Sequence, residues 1–393
     1  MPSEKFLKIP AEPLLSGPMP KLSLIVPTYN EKENIKDIVR IICGLLDKKI
    51  PDDYELIIVD DDSPDNTWQI AQSLIGEYPH LRVVRRQNEK GLATAVIRGW
   101  QEARGQILGV MDGDLQHPPS VLADLLDTMD KGVDLAVASR HTEGGGVSDW
   151  SMFRRIISRS AQVLGLVLLP GVLGRVSDPM SGYFMIRRTA IAEYPLSPVG
   201  YKILIEVLAR GNIARIGEAG YVFQERVKGG TKATPKIFLE YIVHILKLRI
   251  SLWPYVRFIK FCTVGATGVF VDTLFLFLLS DPKMLGLGLT RSKIISAELA
   301  LISNFIINDF WTFGDISQHQ PGLSSRLKRF GKFNVICFIG ILLSVIILNI
   351  LFNMLGMNRY IANLFAIAIS TLWNFWMNYK LGWRVAEFAP KKK

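Results

Sequence analysis

The chain has 393 residues, enough for one catalytic domain of ordinary size and a second unit beside it. Hydrophobic residues make up 49% of it, and the apolar excess is concentrated after about Phe258, so the first 230 residues read as a charged soluble domain and the rest as membrane. The formal net charge of +10 gathers beside the hydrophobic stretches and at Lys391, Lys392 and Lys393, with no nucleic-acid recognition motif, which argues against nucleic acid and for an anionic leaflet or substrate.

Residues 1–20 contain Pro2, Pro10, Pro13, Pro18 and Pro20 but no apolar core of signal-peptide length. A flexible N-terminal extension is expected there, with the domain that follows staying in the cytoplasm. From Leu22 the chain alternates short β-branched runs with amphipathic stretches. LSLIVP (22–27), ELIIVD (55–60), LRVV (81–84), QILGVMD (106–112) and VDLAVAS (133–139) read as buried strands. Helical patterns lie between them at Lys32–Leu46, Asn66–Tyr78, Ala93–Ala103 and Pro119–Lys131. This alternation predicts an α/β domain over 21–233, a parallel sheet with helices on both faces. Ligands of such sheets bind beyond the carboxyl ends of the strands, so the polar residues closing each strand are the candidates for chemistry.

Pro27-Thr28-Tyr29-Asn30-Glu31 closes the first strand, where Tyr29 can stack on a base and Glu31 lies at a helix start. Asp60-Asp61-Asp62-Ser63-Pro64-Asp65 closes the second. Three crowded carboxylates are unfavourable without a cation or the donors of a nucleoside. Ser63 or Asp65 can also cap the next helix. Asp112-Gly113-Asp114-Leu115-Gln116 closes a third strand. Its hard oxygen donors suit Mg²⁺ or Mn²⁺ shared with a diphosphate, and a solvated turn is the other reading of the same residues. Cys43, Cys262 and Cys337 are too few and too scattered for a disulfide framework, and the five histidines show no metal-ligand spacing.

Over Pro235–Ser251 the polar residues Lys236, Glu240, His244, Lys247 and Ser251 recur every three or four positions among apolar neighbours. That pattern predicts an amphipathic helix lying in the membrane interface within 234–256, or else a core helix of the soluble domain. Four apolar segments follow at about 258–280, 292–312, 333–356 and 360–379, inside a membrane domain of 257–385 that ends in a basic tail of 386–393. The 313–332 loop carries Arg326, Lys328, Arg329 and Lys332, and the tail carries Lys380, Arg384 and the final lysines. The positive-inside rule therefore places this loop and both termini in the cytoplasm. Arg257-Phe258-x-Lys260-Phe261 is echoed by Arg329-Phe330-x-Lys332-Phe333, and Asn304-Phe305-x-x-Asn308 by Asn374-Phe375-x-x-Asn378, at offsets of 72 and 70 residues. Two similar helical hairpins in parallel orientation are expected. Asp272, Glu298 and Asp309 fall within the spans, where ionisable residues mark either a functional site or a polar packing contact.

PTYNE, the DDDSPD run, EKGLATAVIRG (89–99), the Asp112-x-Asp114-x-Gln116 element, ASRH (138–141) and DPMSGYF (178–184) together resemble family-two glycosyltransferases of the GT-A fold, a Rossmann-like nucleotide-sugar-binding architecture. Within that family they are most similar to dolichol- or polyprenyl-phosphate mannose synthases. The four spans resemble the GtrA-like all-α membrane domain found beside some of these enzymes. The resemblance implies nucleotide contacts from Pro27, Tyr29, Glu31, Asp60, Asp62, Lys90 and Asp112, and a metal held by Asp112, Asp114 and Gln116. It also implies that Arg140, Arg154, Ser158 and Lys232 hold the lipid phosphate and that Arg226 acts in the reaction. Arg154 and Ser158, four apart, share one helical face and suit a phosphate cradle; a basic face of Arg154, Arg155 and Arg159 on lipid headgroups is the other reading.

By this resemblance the chain is expected to transfer mannose from GDP-mannose to a polyprenyl phosphate. A phosphate monoester is largely ionised near neutral pH, since its second pKa is about 6, and it needs no strong general base. The departing nucleoside diphosphate needs a cation, and a single in-line displacement would invert the anomeric centre. There are three rivals. A polysaccharide synthase lacks support because no Gln-x-x-Arg-Trp element is present. A UDP-glucose-dependent transferase and a lipid-linked-sugar flippase both remain alternatives.

Overall fold

The computed structural model describes residues 7–114, 116–147, 152–223 and 235–385, with side chains for all of these except 147, 152–159 and 235–238. The chain divides after Leu252 into two compact units.

The first unit is built on a seven-stranded sheet of order β3-β2-β1-β4-β7-β5-β8. Its strands are β1 (Leu22–Thr28), β2 (Tyr54–Asp60), β3 (Leu81–Arg85), β4 (Ile107–Val110), β5 (Leu135–Ser139), β7 (Phe184–Arg187) and β8 (Ile216–Gly220). The short β6 (Gly146–Val147) and β9 (Val222–Phe223) pair separately. All five expected strands are present. The sheet is mixed, because β7 runs antiparallel to both β4 and β5. Side chains of β1 and β2 alternate between two cores, Ile25, Ile57 and Val59 on one face and Leu24, Val26, Leu56 and Ile58 on the other. Both faces are covered, by α1 (Ile35–Lys49), α2 (Thr67–Ser73) and α4 (Val121–Asp130) on one side and α3 (Leu92–Glu102) on the other. The helices α5 (Met152–Leu168), α6 (Pro170–Leu173), α7 (Arg188–Ile191), α8 (Ile203–Arg210) and α9 (Pro235–Ser251) complete the unit.

Residues 7–10, expected within a flexible extension, are fastened to this unit. Leu7 and Leu196 exchange backbone hydrogen bonds of 2.7 and 2.8 Å, Glu193 N–H donates to Ile9 O at 2.8 Å, and Ile9 is fully buried. The composition of the stretch hid the apolar side chains of Leu7 and Ile9, both packed on the core.

The second unit contains four helices long and apolar enough to cross a membrane, covering Tyr255–Ser280, Leu289–Thr312, Leu323–Met354 and Arg359–Gly382. Their regular α-helical parts are α10 (Tyr255–Ser280), α11 (Leu289–Ile307), α13 (Leu323–Asn349) and α14 (Arg359–Met377), with the short α12 (Gly314–Ser317) between the second and third. Outward side chains such as Phe270, Ile341 and Leu364 are apolar and exposed, as a lipid-facing surface requires.

The sequence repeat is present in three dimensions. α11 runs into a π-helical turn at Asn308–Thr312 and α14 into one at Asn378–Gly382. Gly268 of α10 is packed against Asn304, and Gly340 of α13 against Asn374, leaving no room for a methyl group at either glycine. Phe305 packs on Phe330 and Phe333, and Phe375 on Phe258 and Phe261, so the second helix of each hairpin rests on the first helix of the other.

Two of the three intramembrane acids are packing contacts. Asp309 is 1% exposed and accepts hydrogen bonds from Arg329 Nε at 2.9 Å, Arg326 Nε at 3.1 Å, Ser317 Oγ at 2.6 Å and Trp383 Nε1 at 3.0 Å. Trp383 in turn stacks on Phe313 with ring centres 4.3 Å apart. Asp272 pairs with Lys293 and accepts a hydrogen bond from Ser296 Oγ at 2.7 Å. Glu298 lies on the exposed face of α11.

Removing the Asp309 carboxylate leaves the buried Arg329 without its counter-ion, a loss of about 3–5 kcal/mol for a buried pair. Asp309→Ala should therefore lower the melting temperature in detergent far more than Asp272→Ala, because Lys293 is 54% exposed and can be solvated. Equal losses would show that the clasp around Asp309 is not what joins the spans.

Candidate active site

Parallel β1, β2 and β4 bring Thr28, Asp60 and the residues after Val110 to one edge of the sheet. Asp60 is fully buried there, and its carboxylate accepts from Thr28 Oγ1 at 2.8 Å, Ser63 N–H at 2.8 Å and Ser63 Oγ at 2.7 Å. Asp61 accepts from Arg86 Nε and Gly91 N–H, both at 2.7 Å. Asp62 has a left-handed backbone, φ +54°, and accepts from Arg85 Nε at 2.6 Å, while the Arg85 guanidinium lies 3.8 Å over the Trp68 ring. The three carboxylates were expected to need a cation or hydrogen-bond donors, such as those of a nucleoside. They are compensated inside the protein, by two arginines, two hydroxyls and two backbone N–H groups.

The loop after β1 is tied to the same segment. Asn30 N–H donates to Ser63 Oγ at 3.0 Å, Glu31 N–H to Thr67 Oγ1 at 3.0 Å, and Lys32 N–H to Asp65 Oδ2 at 3.1 Å. Pro27 stays within β1, and Glu31 accepts from Asn34 Nδ2 at 2.8 Å. Tyr29 projects outward, with the Lys90 ammonium 5.7 Å from its ring centre. These two of the seven residues expected at the nucleotide are thus neighbours although 61 positions apart.

Asp112 and Asp114 flank Gly113 just beyond β4, and Gln116 N–H donates to Asp114 Oδ1 at 3.2 Å. Gly182 faces Asp112 so closely that a Cβ there would stand 2.5 Å from Oδ2. No group of three or more His, Cys, Asp or Glu side chains able to hold a metal occurs among the described residues. Two carboxylates with the Gln116 amide nevertheless form a hard oxygen set that fits Mg²⁺ or Mn²⁺.

His117, like Asp178 and Lys202 below, is a residue whose role sequence reasoning missed. It is buried, with Nε2 3.4 Å from Asp112 Oδ2, and its ring is enclosed by Tyr183, Tyr221 and Phe223 at centroid distances of 5.5, 5.3 and 5.3 Å. A search for metal-ligand spacing could not find it, because the three rings around it come from far along the chain. Its place directly after Gln116 was the available signal.

Beside Asp112 lies a basic pole. Arg140 binds Asp178 through two parallel bonds, Nε to Oδ2 at 2.6 Å and Nη2 to Oδ1 at 2.8 Å, and its guanidinium lies 5.6 Å from the Phe223 ring centre. Burial alone would raise the Asp178 carboxyl, but the Arg140 hydrogen bonds and charge outweigh it and hold the carboxyl below its usual range. Lys202 precedes α8 and donates from Nζ to Met180 O at 2.6 Å. Desolvation, with a further push from Arg140, lowers its ammonium from 10.5 to about 8, against the opposing pull of Asp112 and Asp178. Asp112, Arg140, Asp178 and Lys202 are thereby one electrostatic group. Arg154 and Ser158 lie on α5 with side chains outside the description, and Arg226 and Lys232 fall outside the described residues.

Comparison with known proteins agrees with this arrangement. Residues 23–194 match the family model described as glycosyl transferase family 2, and residues 260–383 match that of the GtrA/DPMS transmembrane domain. Fold, edge site and spans together define a glycosyltransferase integral to the membrane. A dolichol-phosphate mannosyltransferase of Pyrococcus furiosus is 38% identical over 363 residues, covering 92% of this chain and 99% of the relative. One from Saccharomyces cerevisiae is 32% identical over 250 residues, covering 61% of this chain and 91% of the relative. The chain belongs to the dolichol-phosphate mannosyltransferase family. Among solved structures, a glucosyl-3-phosphoglycerate synthase of Mycobacterium tuberculosis, in complex with Mn²⁺, UDP and glucosyl-3-phosphoglycerate, matches at TM-score 0.43 and 21% identity, covering 58% of this chain and 80% of that one.

Gly182→Ala should push the Asp112 carboxylate aside and weaken Mn²⁺ binding on the order of tenfold or more, measured by titration of the protein in detergent. Unchanged affinity would remove Asp112 from the metal set.

Because the folded value of Lys202 is depressed, the unfolded chain binds more protons between about pH 8 and 10.5. The penalty is fully present below pH 8 and is relieved as pH rises through that window. Lys202→Met should accordingly melt higher than the parent at pH 7, with the gap closing by pH 10. A gap independent of pH would contradict a desolvated lysine.

Proposed function

We propose that the enzyme transfers mannose from GDP-mannose to a polyprenyl phosphate of the dolichyl type, with inversion at the anomeric carbon and with Mg²⁺ or Mn²⁺. The observation that carries this reading is the 38% identity to a dolichol-phosphate mannosyltransferase over nearly the whole of both chains, spans included. The juxtaposed acidic and basic poles support it, since one suits a metal diphosphate and the other a second phosphate.

In this reading Tyr29 and Lys90 frame the nucleotide, with Pro27 and Glu31 shaping the loop that presents Tyr29. Asp60 acts through the loop it braces, and Asp62 orients Arg85 on Trp68. Asp112, Asp114 and Gln116 would hold the metal, which when bound neutralises charge developing on the departing nucleoside diphosphate. Arg140 is held in one orientation by Asp178, so the pole is preorganised for the acceptor phosphate. Arg154, Ser158 and Lys232 would complete that pole, and Arg226 would attend the diphosphate. The acceptor is already ionised near neutral pH and attacks without a protein base.

The apolar residues Leu239, Val243 and Leu246 recur along one exposed face of α9, which would rest on the cytoplasmic leaflet. The arginines and lysines of the 313–332 loop support a cytoplasmic catalytic unit and termini. Pairing of Asp272 and Asp309 within the second unit favours an anchoring role for the spans.

Transfer of radiolabelled sugar to dolichyl phosphate in detergent, with GDP-mannose and UDP-glucose compared with and without Mn²⁺, tests the reading. Metal-dependent mannolipid, lost in Asp114→Ala by a factor of about 100 or more, is expected. Glucolipid alone would overturn the donor, and no lipid product from either donor would overturn the reaction.

A further inference from the structure

Helix α9 does more than present an apolar face. Its inner face makes two buried polar contacts, one turn apart, with two different parts of the catalytic unit. Tyr241 Oη donates to Ala161 O of α5 at 2.8 Å. The approach is close, since a Cβ on Gly165, one turn further along α5, would stand 2.5 Å from the same hydroxyl. His244 Nε2 lies 2.9 Å from Glu206 Oε2 of α8, with both side chains all but fully buried.

Glu206 is a junction. Its Oε1 also accepts from Ser197 N–H at 2.6 Å and Arg210 Nε at 2.5 Å. Ser197 begins, and Lys202 ends, the loop that enters α8, and Lys202 sits one turn before Glu206. The loop is therefore held at its start by Glu206 and at its end by the helix that carries Glu206. Tyr201 in the same loop feels the charges of both Asp112 and Arg140, so this loop borders the site. On the other side, Ala161 follows Ser158 by three residues and Arg154 by seven, so any rotation of α5 at Ala161 moves both positions.

We propose that Tyr241 and His244 are positioning residues through which α9 sets the two substrates separately: Tyr241 sets α5 and with it the acceptor phosphate, and His244 sets the Ser197–Lys202 loop and with it the diphosphate side. The assignment to acceptor and donor rests on the function proposed above; the positioning itself does not. A helix in this place transmits its own seating to both halves of the reaction. Simple loss of packing would disturb both halves together, whereas positioning through two separate hydrogen bonds divides them.

The test uses the full chain in detergent, titrated separately with dolichyl phosphate and with GDP plus Mn²⁺, alongside hydrogen exchange of the same proteins without ligand. Tyr241→Phe should weaken dolichyl phosphate about fivefold, the equivalent of one hydrogen bond, and leave GDP within about twofold. Gly165→Ala, which displaces the hydroxyl without removing it, should act in the same direction. His244→Phe should do the reverse, and His244→Gln, whose amide can still donate to Glu206, should recover most of the GDP affinity. In exchange, Tyr241→Phe should loosen 152–168 alone and His244→Phe should loosen 197–202 alone. Variants that shift both affinities equally, or that loosen both segments together, would overturn the proposal. Binding of neither probe by the parent protein would sink the proposed substrates, while the exchange pattern would still decide the positioning.

Discussion

Parallel strands that end together deliver their closing residues to one place, and here those residues are acidic. Asp60 ends β2, and Asp61, Asp62, Asp112 and Asp114 follow β2 or β4, which flank β1. Like charges at such separations oppose folding unless each is compensated. The protein divides them. Asp60, Asp61 and Asp62 receive hydroxyl, amide and arginine donors and become the frame of the loops beyond β1 and β2. Asp112 and Asp114 stand around Gly113, and His117 and Gly182 lie beside Asp112. The same residue type thus serves two ends, distinguished by what the neighbouring strand supplies.

Much of this could be read from the chain, and what could not has a common cause. The strands β1 to β5 were legible because continuous β-branched runs between amphipathic segments have few other solutions. β7 was not, because FMIR is four residues long and follows a glycine-containing loop that reads as a motif more readily than as a strand. Its antiparallel course is what carries Gly182 and Tyr183 against Asp112 and His117. The Asp112–Gln116 element was visible from spacing, whereas His117, Asp178 and Lys202 draw their chemistry from partners up to 106 positions away, such as Phe223 for His117. Spacing reveals groups that act with chain neighbours; it is silent on groups that act through the fold.

The membrane unit teaches the same lesson with a repeat. The offsets of 72 and 70 residues predicted two hairpins, and paired glycine–asparagine contacts and paired π-helical turns realise them. The polar clasp obeys no such repetition. The position equivalent to Asp309 is Tyr379, an aromatic residue that stacks on Trp376. Packing between spans can be duplicated because small residues and rings fit in either half. A buried carboxylate with two arginines is needed only once to fix the register of the second, third and fourth spans, and a second copy would add desolvation without adding a constraint.

The pairing of Arg140 with Asp178 bears on turnover if the acceptor is a phosphate monoester. Such a group carries a charge of about −1.5 to −2 near neutral pH, and glycosylation converts it to a diester of about −1. An arginine with no acidic partner would attract both strongly. The two parallel bonds that Arg140 donates to Asp178 offset the guanidinium's charge and leave its direction fixed. A pole tempered in this way still favours the more highly charged substrate, by Coulomb attraction that scales with its charge, and retains the product less. With Arg140 at the acceptor as proposed above, the product's lipid tail keeps it at the membrane and weak retention at the phosphate favours its release.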